Sequence, residues 1–385
     1  MGLSMPEVTE IELSVVLPCL NEEAGIGVCV KKIRDVFARE NIRGEIVVAD
    51  NGSTDRSKEI ARELGAKVVL EPQQGYGAAY LKGLSEARGK YIIIGDSDNT
   101  YDFHDIPKFL LLLREGFDFV MGSRFKGRIK RGAMPWMNRY LGNPILSGMC
   151  RVFFDTRLSD IHCGMRGFSR QAYLKMNLGT LGMEFATEMV VSALRNKLKI
   201  SEVSIDYELR SGKSKLNPFT DAWRHVRFML LYSPMWLYFI PGMIGFILGG
   251  FLLTVLSRGP VFFLGRHWDI HLLVFASAGC ILSFQILNLG IYAHIFAVKQ
   301  GLLNSDRLLD FFERKFGLEK GILIGSLLFL SGLAINFLIF IEWLSRHFGA
   351  LYRIRESIFA LTLLVIGLQI IFSSFFINFL FLKRK

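Results

Sequence analysis

The 385-residue chain is predicted to be an α/β domain with a mostly parallel sheet, followed by a membrane domain of four helices. Within residues 1–217, short apolar runs of strand length alternate with helical patterns, which is typical of parallel sheets with right-handed crossovers. Beyond residue 217, four apolar stretches each reach the ~20 residues that a helix needs to cross a bilayer core. We therefore expect a first domain at 1–217, an amphipathic interfacial helix at 218–228 and a transmembrane domain at 229–385.

Four strands are predicted in the first domain, with helical stretches between them. They are Leu13 to Leu17, stopped by Pro18; Glu45 to Ala49; Ala66 to Leu70; and Tyr91 to Ile94. Parallel strands end at a common edge, where open α/β sheets bind ligands. Three polar clusters are expected to converge there: Pro18 to Glu22, Asp50 to Ser53 and Asp96 to Asp98.

Asp96 and Asp98 follow the fourth strand and are separated by one small residue. In an extended chain, side chains two residues apart face the same side, so both carboxylates can point at one ligand. A divalent cation would relieve their repulsion, although a polar turn explains the pattern equally well. Asp50 is similarly open to two interpretations, a partner of a nucleobase or ribose and a turn former. Gly75 and Gly77 could allow the backbone to approach a phosphate.

The predicted spans are Met229 to Leu256, Leu272 to Val298, Ile322 to Ile341 and Ile358 to Leu382. Lysine and arginine are in excess in the loop between spans two and three and at the C-terminus, which places both termini and the first domain in the cytoplasm. Besides the helix at 218–228, a second interfacial helix is expected after Ser305, where apolar and charged residues alternate.

The formal net charge of +11 suits an anionic partner, either a membrane surface or a phosphate-bearing substrate. No nucleic-acid recognition motif accompanies the basic charge, so nucleic acid is not an expected partner. The five cysteines have no paired spacing and are read as reduced thiols. The oligomeric state is left open, a homo-oligomer included.

Several ordered motifs resemble those of glycosyltransferase family 2, specifically its polyprenyl-phosphate glycosyltransferases of GT-A fold, such as the dolichol-phosphate mannose synthases. The motifs are Val16-Leu17-Pro18 with Asn21-Glu22, Asp50-Asn51-Gly52-Ser53-Thr54-Asp55, Gly75-Tyr76-Gly77-Ala78-Ala79, Asp96-Ser97-Asp98, Gly122-Ser123-Arg124, Asp160 with Cys163-Gly164-Met165-Arg166, Glu184 to Glu188, and Arg210 to Leu216. The resemblance covers the first 217 residues and implies a Rossmann-like, mostly parallel GT-A domain. Members of this architecture also carry four C-terminal spans.

The resemblance implies a role for each matching residue. Nucleotide-binding positions are Pro18, Leu20, Glu22, Asp50 and Asp96; metal-binding positions for Mg²⁺ or Mn²⁺ are Asp96 and Asp98; acceptor-phosphate positions are Arg124 and Arg139; donor-phosphate positions are Arg210, Ser214 and Lys215. Asp98, Arg124, Arg139 and Arg210 would form the catalytic set.

Three residues depart from the family pattern. Asn51 replaces an acid, Tyr76 replaces a basic residue, and Thr100 stands where mannose-synthase relatives carry glutamine. The third departure leaves both a third metal ligand and the sugar specificity open.

The function implied is inverting, metal-dependent transfer of a hexose from a nucleotide sugar to a polyprenyl phosphate, dolichyl or undecaprenyl. UDP-glucose is the first expectation for the donor and GDP-mannose the second, with N-acetylglucosamine also considered. A processive polysaccharide synthase is the alternative enzyme, but its usual Gln-x-x-Arg-Trp element is missing, since the chain contains no Arg-Trp dipeptide. A non-enzymatic lipid or sugar transporter, or a scaffold subunit, is the other alternative.

Overall fold

The computed structural model describes residues 11–212, 218–300, 303, 307–314 and 316–382. It divides the chain into two compact units, with the boundary between Met229 and Leu230. Each unit is described by itself.

The N-terminal unit is built on a seven-stranded sheet with the strand order β3-β2-β1-β4-β6-β5-β7. All neighbouring strands are parallel except β6, which runs antiparallel to both β4 and β5. The prediction of a mostly parallel sheet is confirmed. The strands are β1 (Leu13–Cys19), β2 (Gly44–Asp50), β3 (Lys67–Leu70), β4 (Tyr91–Ile94), β5 (Phe119–Ser123), β6 (Arg166–Ser169) and β7 (Ile200–Ser204).

Strand β1 continues through Pro18, so the prediction that Pro18 stops it is wrong. The backbone groups of Pro18 face the same neighbouring strand as those of Val16, two residues earlier. That neighbour is β4, since the Val16 carbonyl accepts from the backbone N–H of Gly95 just after β4. Because β4 ends at Ile94, paired with Val16, no ladder bond is lost where proline lacks an N–H. The ladder to β2 therefore extends to Cys19, opposite Asp50.

Helices connect the strands and bury apolar faces against the sheet. In α1, the residues Ile26, Val30 and Ile33 are fully buried, as their helical spacing predicts. The helices are α1 (Glu23–Arg39), α2 (Ser57–Glu63), α3 (Tyr76–Glu86), α4 (Ile106–Arg114), α5 (Asn143–Phe154), α6 (Arg170–Met176), α7 (Phe185–Arg195) and α8 (Pro218–Leu231), with a 3₁₀ turn at Phe103–Asp105 and a π-helical turn at Asn138–Gly142.

Within its described residues, the C-terminal unit contains four helices long and apolar enough to cross a membrane, over Met235–Ser257, Ile270–Lys299, Leu318–Ser345 and Ile354–Phe381. They correspond to the four predicted spans. The elements are a π-helical turn at Met235–Phe239, α9 (Ile240–Ser257), a hairpin of β8 (Val261–Phe263) and β9 (Arg266–Trp268), α10 (Ile270–Lys299), α11 (Arg307–Arg314), α12 (Leu318–Ser345) and α13 (Ile354–Phe381).

Helices α12 and α13 approach closely at glycines. A Cβ atom at Gly367 would lie 2.6 Å from the backbone nitrogen of Phe329, and one at Gly325 would lie 2.7 Å from the carbonyl oxygen of Gly367. Small residues at such crossings allow backbones to pack where lipid offers no hydrophobic driving force between helices.

Candidate active site

The three predicted polar clusters lie together at the carboxyl edge of the sheet. Cys19 and Asp50 pair in the β1–β2 ladder. The Ser97 hydroxyl donates to the carbonyl oxygen of Pro18 at 2.6 Å, which joins the end of β1 to the loop after β4. Leu20 is half-buried in the bend that follows β1.

Asp50 closes the turn after β2. Its carboxylate accepts from the backbone N–H groups of Gly52 and Ser53, each at 3.2 Å, and the residue is almost fully buried. Asn21 joins this turn to the end of β1, because its side-chain oxygen accepts from the N–H of Thr54 at 2.7 Å. Asp50 thus has the turn-forming contacts that the sequence left open, and its contact with a nucleotide stays a prediction.

Asp96 is held by two tyrosines of α3. The hydroxyls of Tyr76 and Tyr80 donate to Asp96 Oδ1 at 3.1 and 3.2 Å. Burial, assisted by the nearby charge of Asp98, raises the pKa of Asp96 to about 6, while the tyrosine hydrogen bonds act in the opposite direction. The charged form of Asp96 is therefore disfavoured by its burial beside Asp98.

Asp98 lies beyond β4 in a bend that includes Asn99 at φ 63°, so the extended geometry assumed for the acid pair is wrong. Thr100 donates to Asp98 Oδ1 from its backbone N–H at 3.0 Å and from its hydroxyl at 2.5 Å. The residue at the glutamine position therefore orients Asp98 through its oxygen Oδ1.

Arg210 connects two acids of the site. Its Nη1 lies 3.0 Å from Asp98 Oδ2, and its Nη2 donates to Glu22 Oε1 at 2.8 Å. The backbone N–H of Ser211 donates to the carbonyl of Asp98 at 2.9 Å, which fixes this segment beside the acidic loop. Within the described part of the chain, the buried Arg210 Nε has no hydrogen-bond partner. A phosphate oxygen would satisfy such a donor.

We call Glu22, Asp96, Asp98 and Arg210 the acid cluster. In the residues that the structure describes, no three His, Cys, Asp or Glu side chains are grouped as a set of metal ligands. Mg²⁺ commonly uses only one or two carboxylates together with substrate phosphates. The two aspartates therefore fit a cation that binds together with a diphosphate.

Arg124 is almost fully buried and paired with Asp160. Its Nε and Nη2 donate to the two carboxylate oxygens at 2.7 and 2.8 Å, and its guanidinium carbon lies 5.2 Å from the centre of the Tyr207 ring. The charge of this predicted acceptor-site arginine is thus already balanced by a carboxylate.

Arg139 lies in the π-helical turn before α5 and is half-buried. Its guanidinium carbon lies 5.5 Å from the centre of the Tyr140 ring, and no acidic side chain pairs with it among the described residues. Ser214 and Lys215, the other predicted donor-phosphate residues, lie outside the described residues.

The glycine loop serves packing within the chain. A Cβ atom at Gly77 would lie 2.1 Å from the carbonyl oxygen of Thr180, and one at Gly75 would lie 2.2 Å from that of Leu181. Asn51 anchors the same loop, since its Oδ1 accepts from the N–H of Gly75 at 2.8 Å. The space that glycine provides is occupied by backbone, which weakens the phosphate interpretation of this loop.

Several contributors to the site were not assigned from the sequence. Tyr76 and Tyr80 hold Asp96, Asn51 anchors the glycine loop, and Asp160 pairs with Arg124. The sequence analysis named Tyr76 and Asn51 only as departures from the family pattern and assigned no function to either.

The motif Cys163 to Arg166 is organised by a buried arginine. Arg166 donates to the backbone carbonyls of Cys163 at 2.9 Å, Ile161 at 3.0 Å and Ala186 at 2.5 Å. It ties the loop before β6 to helix α7.

Comparison with protein families identifies the chain as a glycosyltransferase with a membrane region. Residues 14–176 match the family description "Glycosyl transferase family 2", and residues 291–381 match "Glycosyltransferase family 2 C-terminal transmembrane region". The chain belongs to glycosyltransferase family 2, and its N-terminal unit has the GT-A fold.

Similar proteins come from Haloferax volcanii. The low-salt glycan biosynthesis hexosyltransferase Agl6 is 41% identical over 95% of this chain and 88% of that protein. A dolichyl-phosphate hexose transferase is 34% identical over 56% of this chain and 91% of that protein. Among solved structures, glucosyl-3-phosphoglycerate synthase from Mycobacterium tuberculosis with Mn²⁺, uridine-diphosphate and glucosyl-3-phosphoglycerate is 22% identical, with a TM-score of 0.45 over 57% of this chain and 77% of that one.

Proposed function

We propose that this glycosyltransferase moves a hexose from a nucleotide sugar to a polyprenyl phosphate with inversion at the anomeric carbon. The observation that carries the proposal is Arg210, which lies between Glu22 and Asp98 and whose buried Nε has no hydrogen-bond partner among the described residues. Such a site has acids for a cation and a donor for a phosphate oxygen. A relative named dolichyl-phosphate hexose transferase and the four apolar helices support a lipid acceptor.

Asp96 and Asp98 would hold Mg²⁺ or Mn²⁺ together with the donor diphosphate. When bound, the cation would neutralise charge on the departing diphosphate. Glu22 and Asp50, with Pro18 and Leu20 at the end of β1, would form the nucleotide side of the site. Arg210, with Ser214 and Lys215, would bind the donor phosphates.

The acceptor needs no general base. A phosphate monoester is ionised near neutral pH, so one of its oxygens can attack the anomeric carbon directly. The new bond joins that oxygen to the carbon, and the bond to the diphosphate breaks with its electron pair on the leaving group. The protein's task is therefore to align the two anionic substrates and to balance their charge.

Of the two acceptor-site candidates, Arg139 is the one that we propose to contact the acceptor phosphate. Its guanidinium has no acidic partner in the described part of the chain, whereas the Nε and Nη2 of Arg124 are bonded to Asp160. Arg124 would act mainly by shaping the site, with Nη1 outside the bidentate pair. Glucose from UDP-glucose is the proposed donor, with mannose from GDP-mannose second.

Residues 1–217 would face the cytoplasm, as would both termini, with the helix at 218–228 in the membrane interface. A fusion of a cytoplasm-dependent reporter to the C-terminus tests this orientation, since a silent reporter in otherwise intact membranes would reverse it.

The reaction is tested with the full-length protein, a polyprenyl phosphate, Mg²⁺ or Mn²⁺ and a panel of labelled nucleotide sugars. Label should enter the organic phase with one donor and should depend on the cation. Asp98→Asn should abolish the transfer, whereas Asp155→Asn, an exposed acid at the end of α5, should retain it. No labelled lipid with any donor, or full activity in Asp98→Asn, would refute the proposal.

A further inference from the structure

The N-terminal unit carries an exposed apolar face on the helical stretch that includes α5. Trp136, Tyr140 and Ile145 are 67%, 57% and 56% exposed. Met137, Leu141 and Val152 are exposed as well. Buried Leu146, Ser147 and Cys150 form the opposite side of the same stretch. A contiguous exposed apolar surface of this kind marks an interaction site.

Basic residues predominate in the sequence around this face. Residues 125–157 contain seven lysines and arginines and one acid, Asp155. Three of these bases pair with acids elsewhere in the unit: Lys126 with Glu202, Arg128 with Asp206 and Lys130 with Glu208. The others are Arg131, Arg139, Arg151 and Arg157, and in the described ranges no acid pairs with them.

The exposed aromatic residues are of the types that are enriched at membrane interfaces. The rings of Trp136 and Tyr140 lie 6.0 Å apart, and the guanidinium of Arg139 lies over Tyr140. Trp and Tyr favour the boundary between headgroups and acyl chains, where an apolar ring and a polar tip are both accommodated. Arginine beside them can bind anionic headgroups.

We infer that this face, from Trp136 to Val152, docks on the interfacial region of an anionic bilayer. The chain's four apolar helices keep a bilayer within reach of the unit. A helix with an apolar face and basic flanks is typical of interfacial insertion, with the apolar side about 5–10 Å into the headgroup boundary.

Backbone hydrogen bonds connect this face to the loop that carries Asp98. The loop before this face is hydrogen-bonded to the segment that leads to Arg210, because the Lys130 N–H donates to the carbonyl of Tyr207 at 3.0 Å. Glu208 in turn donates its N–H to the carbonyl of Thr100 at 2.8 Å, next to Asp98. A face fixed at the lipid surface would therefore anchor the loop of Asp98 through these two contacts.

The experiment places an environment-sensitive fluorophore on the face in nanodiscs that hold one copy of the full-length protein. The five native cysteines are buried, so labelling is directed to Ile145→Cys or Val152→Cys. Leu174→Cys, 70% exposed on α6, is the matched control. The discs contain phosphatidylcholine and phosphatidylglycerol in equal parts, with or without a nitroxide near the top of the acyl chain.

Both face positions should show blue-shifted emission and lose at least about half of it to the nitroxide, given insertion of about 5–10 Å. Leu174→Cys should be unaffected. Trp136→Ser should reduce quenching at position 145, and discs of phosphatidylcholine alone should do the same. Unquenched, water-like emission at both positions would overturn the inference. So would a blue shift seen only in discs with two copies, which would indicate a second chain on this face. Either result leaves the transferase assay unaffected, so the two proposals fail separately.

Discussion

Arg210 is expected to compete with the metal for Asp98. Its guanidinium lies 3.0 Å from Asp98 Oδ2 and 2.8 Å from Glu22 Oε1, with the side chain 23% exposed. A cation that binds Asp98 through Oδ2 would compete with the charge-assisted contact that Arg210 makes to the same oxygen. Arg210→Met keeps an unbranched apolar side chain and removes the guanidinium charge, so it should make the acids more available to a cation.

The magnitude follows from one charge-assisted hydrogen bond, worth about 1.5–3 kcal/mol. Partial exposure screens the pair, so the lower end applies. A change of about 1.4 kcal/mol is tenfold in Kd. Arg210→Met should therefore bind Mn²⁺ alone roughly tenfold more tightly than the parent, as measured from the free-ion signal by electron paramagnetic resonance on the full-length protein.

The sign should reverse when the nucleoside diphosphate is present. Arg210 would then lie against phosphate oxygens, so its loss should weaken binding of UDP or GDP with Mn²⁺ and lower turnover. Arg139→Met, which removes an arginine without an acidic partner in the described residues, should leave Mn²⁺ binding unchanged. An unchanged or weaker affinity of Arg210→Met for Mn²⁺ alone would refute the competition.

Three further outcomes are expected. Tyr76→Phe removes a hydrogen bond that lowers the pKa of Asp96, so that pKa should rise above about 6. Because a bond to a charged group is worth about 1.5–3 kcal/mol, the acid limb of kcat/KM against pH should move up by about one unit. An unchanged acid limb would exclude this role for Tyr76. Arg124→Met should lower the free energy of unfolding by about 3–5 kcal/mol because its buried carboxylate partner is left unpaired. Arg139→Met should keep the parent Tm and raise KM for polyprenyl phosphate roughly tenfold. Equal Tm values for the two variants would contradict the distinction. Burial lowers the pKa of His225 to about 4, from about 6.5 in the unfolded chain. Its contribution to stability is therefore full above pH 6.5 and is lost as pH falls towards 4. His225→Gln should make the Tm fall less steeply between about pH 6.5 and 4.

The sheet shows which strands can be predicted from a sequence pattern. Strands β1, β2, β3 and β4 were predicted because buried apolar runs recur between amphipathic helices. Strands β5, β6 and β7 were not predicted. In β6, Arg166–Ser169 contains a charge and a glycine and is too short to show a period. Its arginine is buried by donating to three backbone carbonyls, a tertiary arrangement that local pattern cannot reveal.

For the candidate site, position in the chain was predictable and pairing was not. The convergence of Asp50, Asp96 and Asp98 follows from parallel strands that end at one edge. The partner of Arg124 could not be chosen from the sequence, because Asp160 lies 36 residues away and the pair forms only when the loop before β6 folds back.

Thr100 and Arg210 together hold the carboxylate of Asp98. Thr100 and Arg210 use different oxygens of Asp98, so one residue fixes the orientation of the carboxylate while the other balances its charge. A glutamine at position 100 would offer an oxygen to a cation, but threonine instead donates to Asp98 and leaves the ligand set to the acids and the substrate. Because that set is small, the free site should bind a cation weakly, and strong binding should require the diphosphate that also engages Arg210. Metal and donor would then bind as one unit, which limits occupation of the site by a cation alone.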